Sequence, residues 1–428
     1  MDLETMQGSE GRFSEYLDGL ASVIGHADRA APLRDYCVGL LMPVERKSVE
    51  PMAAITAPER TGAQHQSLLH FVGQAPWSDQ QVLAKVGEMV LPEMERHGPI
   101  EAWVIDDTGF PKKGRHSVGV ARQYCGELGK QDNCQVAESL SLASAHASLP
   151  VAYRLYLPRD WIEDKGRRRK CGVPDEIGFK TKPEIALDHL RSACEAGLPP
   201  GAVLMDSGYG NDGELRRGTS ALGLSYVAAI LGKTLIWRPG KEPPARHAQP
   251  PKRGRRHQPN VVSVKELAFS LPAEAWHTIT WREGTAEPLR SRFARLRVCA
   301  ANRRAVTDPE WLLIEWPEDE REPTKYWLAT LPENIAFDRL IDLAKLRWRI
   351  ERDYHDLKQE IGLGHFEGRG WRGFHHHATL CIAAYGFLIS ERTAIPSSGP
   401  RAAALLAPAH LPKGYKPRGA AAARAAHR

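Results

Sequence analysis

Residues 337–361 read FDRLIDLAKLRWRIERDYHDLKQEI, and their apolar positions recur at three- and four-residue steps. This period is typical of an amphipathic helix with one buried side. On a helical wheel of about 100° per residue, the apolar residues occupy one arc: Leu340, Leu343, Ile350, Tyr354, Leu357 and Ile361. The opposite arc is charged and is predicted to face solvent: Lys345, Arg349, Arg352, Asp353, Asp356 and Glu360. The stretch therefore predicts a single helix that packs on a core.

Three charged residues of this helix, Arg347, Glu351 and Lys358, belong to neither arc. Their spacing of four and seven residues stacks them along the margin of the apolar stripe. A carboxylate at the margin of a core needs a paired cation or a metal ion. The helix alone fits either an ordinary ladder of ion pairs or a functional site. The rest of the sequence has to distinguish the two.

The composition is that of a globular protein in a reducing compartment. With 428 residues the chain can bury a large core and is expected to hold two or three units. The net charge of +6 is a mild basic excess, but the basic residues are clustered. Seven cysteines without a C-x-x-C pair favour reduced thiols in the cytoplasm over a zinc ribbon or a disulfide framework. The polar N-terminus is not a secretory signal, and no apolar run has the length of a membrane span.

The order of predicted elements is that of an α/β protein with a mixed sheet. Residues 102–107 (AWVIDD) and 202–210 (AVLMDSGYG) each begin as a buried strand that a turn sequence ends. Strand-like runs at 139–146 and 151–158 lie between them and predict an antiparallel meander at one edge of the sheet. Residues 182–195 predict a helix.

Shifts in composition divide the chain into five segments. They are an N-terminal helical region (1–95), the first part of an α/β core (96–231), a β-rich insertion that begins with a basic, Pro-rich stretch (232–330), the second part of the core with the helix of 337–361 (331–396), and a flexible basic tail (397–428).

Two of the predicted strands end in aspartate: Asp107, with Asp106 beside it, and Asp206. The carboxyl end of a strand is where an α/β sheet collects its ligands, although Asp before Gly is also a common turn former. Two acids from strand ends and a third from a helix margin can converge on a pair of divalent cations. Hard oxygen ligands suit Mg²⁺ or Mn²⁺. The arginine and lysine that flank Glu351 would then be placed to bind phosphate.

At this point the helix resembles that of a known family. RWRIERDYHDLK is similar to the third-acid helix of DDE insertion-sequence transposases, in the branch with a Tyr-x2-Arg-x3-Glu-x6-Lys pattern. Arg347, Glu351 and Lys358 match that spacing, whereas the Tyr position falls on Ala344.

The two strand motifs extend the resemblance. IDDTGFPKKG is similar to the first-acid strand of the same family, and VLMDSGYG, which contains Asp206, to the second. In related sequences the first acid precedes the Thr, which favours Asp107, with Asp106 as the register alternative. The resemblance runs from about residue 95 to residue 390 and is most specific in the helix motif.

The resemblance implies an RNase H-like catalytic domain with a β-rich insertion between the second and third acids. It implies a metal-dependent transposase in which Asp107, Asp206 and Glu351 are catalytic and hold Mg²⁺ or Mn²⁺ as two ions, supported by Asp106, Arg347 and Lys358. The implied partners are the DNA ends of the element and target DNA, on which the protein would be at least a dimer. A bacterial, nucleoid-associated location would follow, and residues 1–95 would either bind DNA ends or only pack.

Three alternatives remain at this point. One is an inactive DNA-binding derivative of a transposase: the presence of all three acids argues against it, whereas the departure at Ala344 leaves room for it. An RNase H-like nuclease without strand transfer would use the same acids. The third alternative is an α/β protein with no nucleic-acid role. This interpretation makes the spacing of the acids and the basic clusters a coincidence.

Three basic clusters are predicted to contact the DNA backbone, because clustered cations in a DNA enzyme favour phosphate binding. They are Lys112, Lys113, Arg115 and Arg122 after the first acid; Arg167, Arg168, Arg169 and Lys170 beside Trp161; and Lys252, Arg253, Arg255 and Arg256 in the insertion. Trp348 and Trp371 are predicted to pack rather than to stack on a base. The triplet 375–377 (HHH) is predicted to be incidental, since three successive helical residues point in different directions and form a poor chelate.

Overall fold

The computed structural model describes residues 3–241, 260–282, 289–301 and 308–394. The helices in these residues are α1 (Leu3–Ala21), α2 (Ala30–Leu41), α3 (Val49–Thr56), α4 (Thr61–Gly73), α5 (Asp79–Glu95), α6 (Arg159–Glu163), α7 (Lys165–Lys170), α8 (Lys182–Glu195), α9 (Ser207–Gly210), α10 (Gly213–Ala221), α11 (Val264–Ser270), α12 (Phe337–Leu346), α13 (Trp348–Gln359) and α14 (Trp371–Ala394). The strands are β1 (Ala102–Pro111), β2 (Ala121–Cys125), β3 (Lys130–Ala143), β4 (Ser148–Leu155), β5 (Ala202–Met205), β6 (Tyr226–Ile230), β7 (Leu235–Trp237), β8 (Val261–Ser263), β9 (His277–Arg282), β10 (Leu289–Val298), β11 (Glu310–Trp316) and β12 (Lys325–Ala329). None of these helices is long and apolar enough to cross a membrane.

One mixed sheet organises the described chain. Its order is β2-β3-β1-β5-β6-β12-β11-β10-β9, and β4 also pairs with β3. Strands β1, β5 and β6 run parallel, whereas β1 pairs with β3, and β3 with β4, in antiparallel fashion. The predicted α/β fold with an antiparallel meander at one edge is confirmed. The apolar runs of the central strands explain it, since AVLM of β5 is wholly buried.

The insertion continues this sheet. Strand β12 pairs with β6 through Tyr326–Ala329, and β11, β10 and β9 follow outward from it. In the described part of the insertion, β7 and β8 form a separate two-stranded sheet. The insertion strands therefore lie on the same rigid scaffold as β1 and β5. The basic cluster of residues 252–256 and the tail after residue 394 lie outside the described residues.

The N-terminal helices pack on α14 and share one hydrophobic core with the sheet. The hydroxyl of Tyr16 in α1 donates to the carbonyl of Ala383 at 2.8 Å. His376 of the predicted incidental triplet stacks on Trp77 with ring centroids 3.5 Å apart. His375 and His377 instead contact β4 and α2, so each histidine fixes α14 to a different neighbour. Within the described residues the three side chains do not form a metal site.

The stretch 337–361 is two helices rather than the predicted single one. Helix α12 ends at Leu346 and α13 begins at Trp348, with the break at Arg347. The apolar arc is confirmed, since all six of its residues are buried. The predicted wet face is wrong at two positions, Lys345 and Asp353, which are 9% and 6% exposed. Each is buried because it has a partner distant in sequence: Glu315 for Lys345 and the Tyr385 hydroxyl for Asp353.

Candidate active site

The first two acid segments meet because β1 and β5 are parallel neighbours. Residues Ala102–Val104 pair with Ala202–Leu204, and the pairing ends just before the acid of each strand. Beyond this point Asp106 and Asp107 lie on β1, while Asp206 begins the turn after β5. The pairing of the two parallel strands thus ends beside the acids, where a ligand site is predicted. Strand β1 itself continues to Pro111, paired with β3, so the predicted turn directly after Asp107 is wrong.

Asp106 and Asp107 point to opposite faces of β1, because successive strand residues alternate. Asp106 faces α13, where its Oδ2 lies 3.1 Å from Nη1 of Arg347. Its side chain is 16% exposed, and burial raises its pKa to about 7, opposed by Arg347 and reinforced by Asp206 and Asp107. Asp106 is therefore a crowded carboxylate that depends on Arg347.

Asp107 faces α8 and α9 and is more exposed, at 27%. Its Oδ2 accepts two hydrogen bonds, one from Nζ of Lys182 at 2.8 Å and one from the hydroxyl of Tyr209 at 3.3 Å. Lys182 begins α8, whose capping box at Thr181 fixes the start of that helix. Sequence reasoning missed both partners of Asp107. Tyr209 could have been found from its position three residues after Asp206, whereas nothing local marks Lys182.

Asp206 is the N-cap of the short helix α9, and its Oδ1 accepts a hydrogen bond from the backbone N–H of Tyr209 at 3.0 Å. This turn is tightly packed on β6: a Cβ at Gly210 would overlap the carbonyl of Ala229. Glycine is required there by the close approach of two backbones. The position of the Asp206 carboxylate is consequently fixed by the strand, the cap and the turn together.

Glu351 lies on the first turn of α13, and its side chain is 69% exposed. Arg347 stands between it and the first acids, with Nη2 3.7 Å from Oε1 of Glu351. Burial opposes the charge of Arg347, but Asp106, Asp206 and Glu351 together raise its pKa. The structure thus gathers Asp106, Asp206 and Glu351 around one guanidinium, and brings Asp107 to Asp206 through Tyr209.

Lys358, the third residue of the helix motif, points along β1 rather than toward Glu351. Its Nζ donates to the carbonyl of Gly109 at 2.7 Å and to Oε2 of Glu127 at 2.6 Å, and its side chain is 14% exposed. The break at Arg347 does not disturb this contact, because α13 itself runs over β1. Lys358 therefore secures α13 to the first-acid strand.

A cavity of about 430 Å³ opens beside Asp206, Arg347 and Glu351. Its other walls come from β5, β6, β9, β12, α12 and α13, and include Trp281, Lys325, Trp327, Ala344 and Trp348. The alanine at the Tyr position of the motif is thus a wall of this cavity, and Trp348 lines it as well. Trp371 packs on His375 with ring centroids 4.2 Å apart, as predicted.

In the two basic clusters that the structure describes, some side chains make local contacts and others are exposed. Arg167 covers Trp161 at 3.6 Å and donates to the carbonyl of Arg115, and Arg168 donates to that of Pro174, so both contribute to local structure. Lys112 donates to the carbonyl of Phe366 at 3.0 Å. The remaining members are exposed: Lys113, Arg115, Arg122, Arg169 and Lys170.

The donor chemistry at this edge fits a hard divalent cation, because the acids offer carboxylate oxygens only. Within the described residues, no three metal-ligating side chains are already grouped closely enough to hold an ion. Asp107 and Asp206 are fixed by their neighbours, whereas Glu351 is exposed and can change rotamer without disturbing the core. The carboxylates at this edge therefore fit a hard divalent cation, but Asp107 lies on the face of β1 opposite to the one that faces Arg347 and α13.

Comparison with known proteins identifies the family of the chain. A family model described as DDE superfamily endonuclease matches residues 19–288, which include Asp107 and Asp206 but end before Glu351. The chain is also 29% identical over 194 residues to a protein of Microchaete diplosiphon named as a probable transposase for insertion sequence element IS701. That alignment covers 45% of this chain and 47% of the relative, so the chain spans about half the length of the curated relative that it matches.

Proposed function

Since the chain belongs to the DDE superfamily of endonucleases, we propose that it is a transposase, which cleaves DNA at the ends of an insertion sequence and joins the freed 3′-hydroxyl to target DNA. The observation that carries this proposal is the meeting of three acid-bearing segments at one edge of the sheet: β1, the turn after β5, and the first turn of α13. The name of the relative supports the strand-transfer part.

We assign the catalytic acids to Asp107, Asp206 and Glu351. Asp107 precedes Thr108, is more exposed than Asp106, and is linked to the Asp206 turn through Tyr209. Asp106 instead holds Arg347, which in turn contacts Glu351, so it positions α13. The competing assignment of Asp106 as first acid is favoured by its place beside Arg347 and Asp206.

The three carboxylates would hold Mg²⁺ or Mn²⁺, as two ions, which supply charge neutralisation at the scissile phosphate and lower the pKa of water. Arg347 would bind a phosphate oxygen of the substrate, since its guanidinium already lies among the acids and presents a planar pair of donors. Lys358 keeps α13 against β1, so that Glu351 and Arg347 approach the strand from one side. The DNA path would follow the exposed members of the two described basic clusters.

Cleavage of a supercoiled plasmid that carries the flanking ends of the host element tests this function. Wild type in Mg²⁺ should cut at the ends, and EDTA or Glu351→Gln should abolish cutting while DNA binding is retained, because the glutamine keeps the size of the side chain but loses its charge. Transfer of the cut ends to a second plasmid distinguishes a transposase from a nuclease without strand transfer.

Two outcomes of this experiment contradict the proposal. Binding of the ends without cleavage in Mg²⁺ or Mn²⁺ would show an inactive DNA-binding derivative. Equal cleavage by wild type and Glu351→Gln would remove α13 from the active site.

The exposed pair Arg169 and Lys170 should contribute to DNA binding through charge alone. Replacing both with alanine should reduce the slope of log K against log salt by about 2, since each phosphate contact contributes about one counterion. Filter binding or fluorescence anisotropy over a range of salt measures this slope. The control removes two charges elsewhere, at Arg191 and Arg217, which are ion-paired on their own helices. An equal change in both double variants would exclude a specific role for residues 169 and 170.

A further inference from the structure

Tyr209 touches both of the first two acids. Its hydroxyl donates to Oδ2 of Asp107 at 3.3 Å, and its backbone N–H donates to Oδ1 of Asp206 at 3.0 Å. The side chain therefore spans the gap between β1 and the turn after β5. Since β1 and β5 stop pairing at Val104 and Leu204, no backbone ladder joins the two strands at the level of the acids.

Hydrogen bonds and packing hold the segment around Tyr209 in place. The residue is 3% exposed and lies in the four-residue helix α9, where the N–H of Gly210 donates to the Asp206 carbonyl at 2.6 Å. Arg216 of α10 donates to the carbonyl of Gly210, and the glycine lies against β6. A hydroxyl held this firmly restricts the position of the carboxylate that accepts its hydrogen bond.

Lys182 shares the same oxygen of Asp107 but supplies a different property. Its ammonium, 2.8 Å from Oδ2, balances the charge of the carboxylate from the end of a flexible side chain that is 28% exposed. The phenol of Tyr209 adds no charge but adds direction, because its ring is fixed by packing. Lys182 thus balances the charge of the Asp107 carboxylate, and Tyr209 fixes its orientation.

We propose that Tyr209 is a positioning residue that sets the separation of the Asp107 and Asp206 carboxylates and so determines how tightly the site binds a divalent cation. This inference rests on the proposed function. It predicts that loss of the Tyr209 hydroxyl weakens metal binding. Without that hydroxyl, the Asp107 carboxylate is restrained by Lys182 alone, so metal binding has to order the carboxylate. Outer-shell partners of metal ligands typically change affinity by 10–100-fold.

Calorimetric titration of the full-length protein with Mn²⁺, in the absence of DNA, tests the proposal. Tyr209→Phe keeps the ring and should raise the Kd for Mn²⁺ by about tenfold. The matched control is Tyr16→Phe, which removes another buried hydroxyl that donates one hydrogen bond, but in α1. It should leave the Kd unchanged. Thermal unfolding of both variants verifies that each is folded, since one lost hydrogen bond removes only a small part of the stability of a fold.

A second readout separates positioning from general damage. In plasmid cleavage, Tyr209→Phe should need about tenfold more Mn²⁺ for half-maximal rate, yet approach the wild-type rate at saturation. An unchanged Kd for Tyr209→Phe, or an equal change in Tyr16→Phe, would overturn the inference and leave the proposed function intact. Failure of wild type to bind Mn²⁺ or to cleave DNA would overturn both.

Discussion

Asp107→Asn should abolish DNA strand cleavage, with a loss of about 10³-fold or more. The substitution keeps the size of the side chain and an oxygen that can accept the hydrogen bond from Tyr209, so the fold and the turn of Asp206 are retained. It removes the negative charge that a divalent cation requires, and it leaves the ammonium of Lys182 beside a neutral amide. Single-turnover cleavage of a short end-containing duplex, at saturating Mg²⁺, measures the effect.

Asp106→Asn is the matched control, since it changes the neighbouring residue in the same way on the opposite face of β1. Its expected loss is at most about tenfold, because Arg347 keeps its contact with Glu351 when the Asp106 charge is removed. DNA binding should be retained by both variants. The reverse order, with Asp106→Asn inactive and Asp107→Asn active, would assign the first acid to Asp106 and make Asp107 the positioning residue.

The central strands and the helix of residues 182–195 could be predicted because their signals are local. Strand β5 is a short apolar run that ends in Asp and Gly, and α8 begins with a capping box after Thr181. The predicted helix coincides with α8. By contrast, β2 was not predicted, since ARQYC has no apolar alternation and pairs only with β3. The position of β2 depends on its pairing with β3 and not on a pattern in its own residues.

The site could be predicted only in part, for a related reason. The motif residues follow the apolar run of two strands or lie on one helix, and the sequence displays these positions directly. The contacts that distinguish their roles are tertiary: Lys182 reaches Asp107 across 75 residues, and Arg347 reaches Asp106 across 241. Helical period also continues through Arg347, so it could not show that α12 ends there. Side-chain direction on β1 gives Asp106 and Asp107 different partners, which sequence spacing could not show.

An ion pair between Lys345 and Glu315 attaches helix α12 to the insertion. The helical period of the sequence wrongly predicts that Lys345 faces solvent. Nζ of Lys345 lies 2.5 Å from Oε1 of Glu315 on β11, and the two side chains are 9% and 5% exposed. Lys345 also lies 4.1 Å from the centre of the Trp281 ring. Burial lowers the pKa of Lys345, and Glu315 raises it again. Glu315 thus supplies the counter-charge that a nearly buried lysine requires.

Lys345→Met should lower the free energy of unfolding by about 3–5 kcal/mol, because it leaves Glu315 buried without a counter-charge. Denaturant titration followed by tryptophan fluorescence measures this loss. The double variant Lys345→Met with Glu315→Leu should recover most of it, since a buried ion pair and an apolar pair of similar volume are often of comparable stability. Equal destabilisation in the single and double variants would show that packing around Trp281, rather than the unpaired charge, causes the loss. Recovery would instead identify the unpaired, buried carboxylate of Glu315 as the cause of the loss in the single variant.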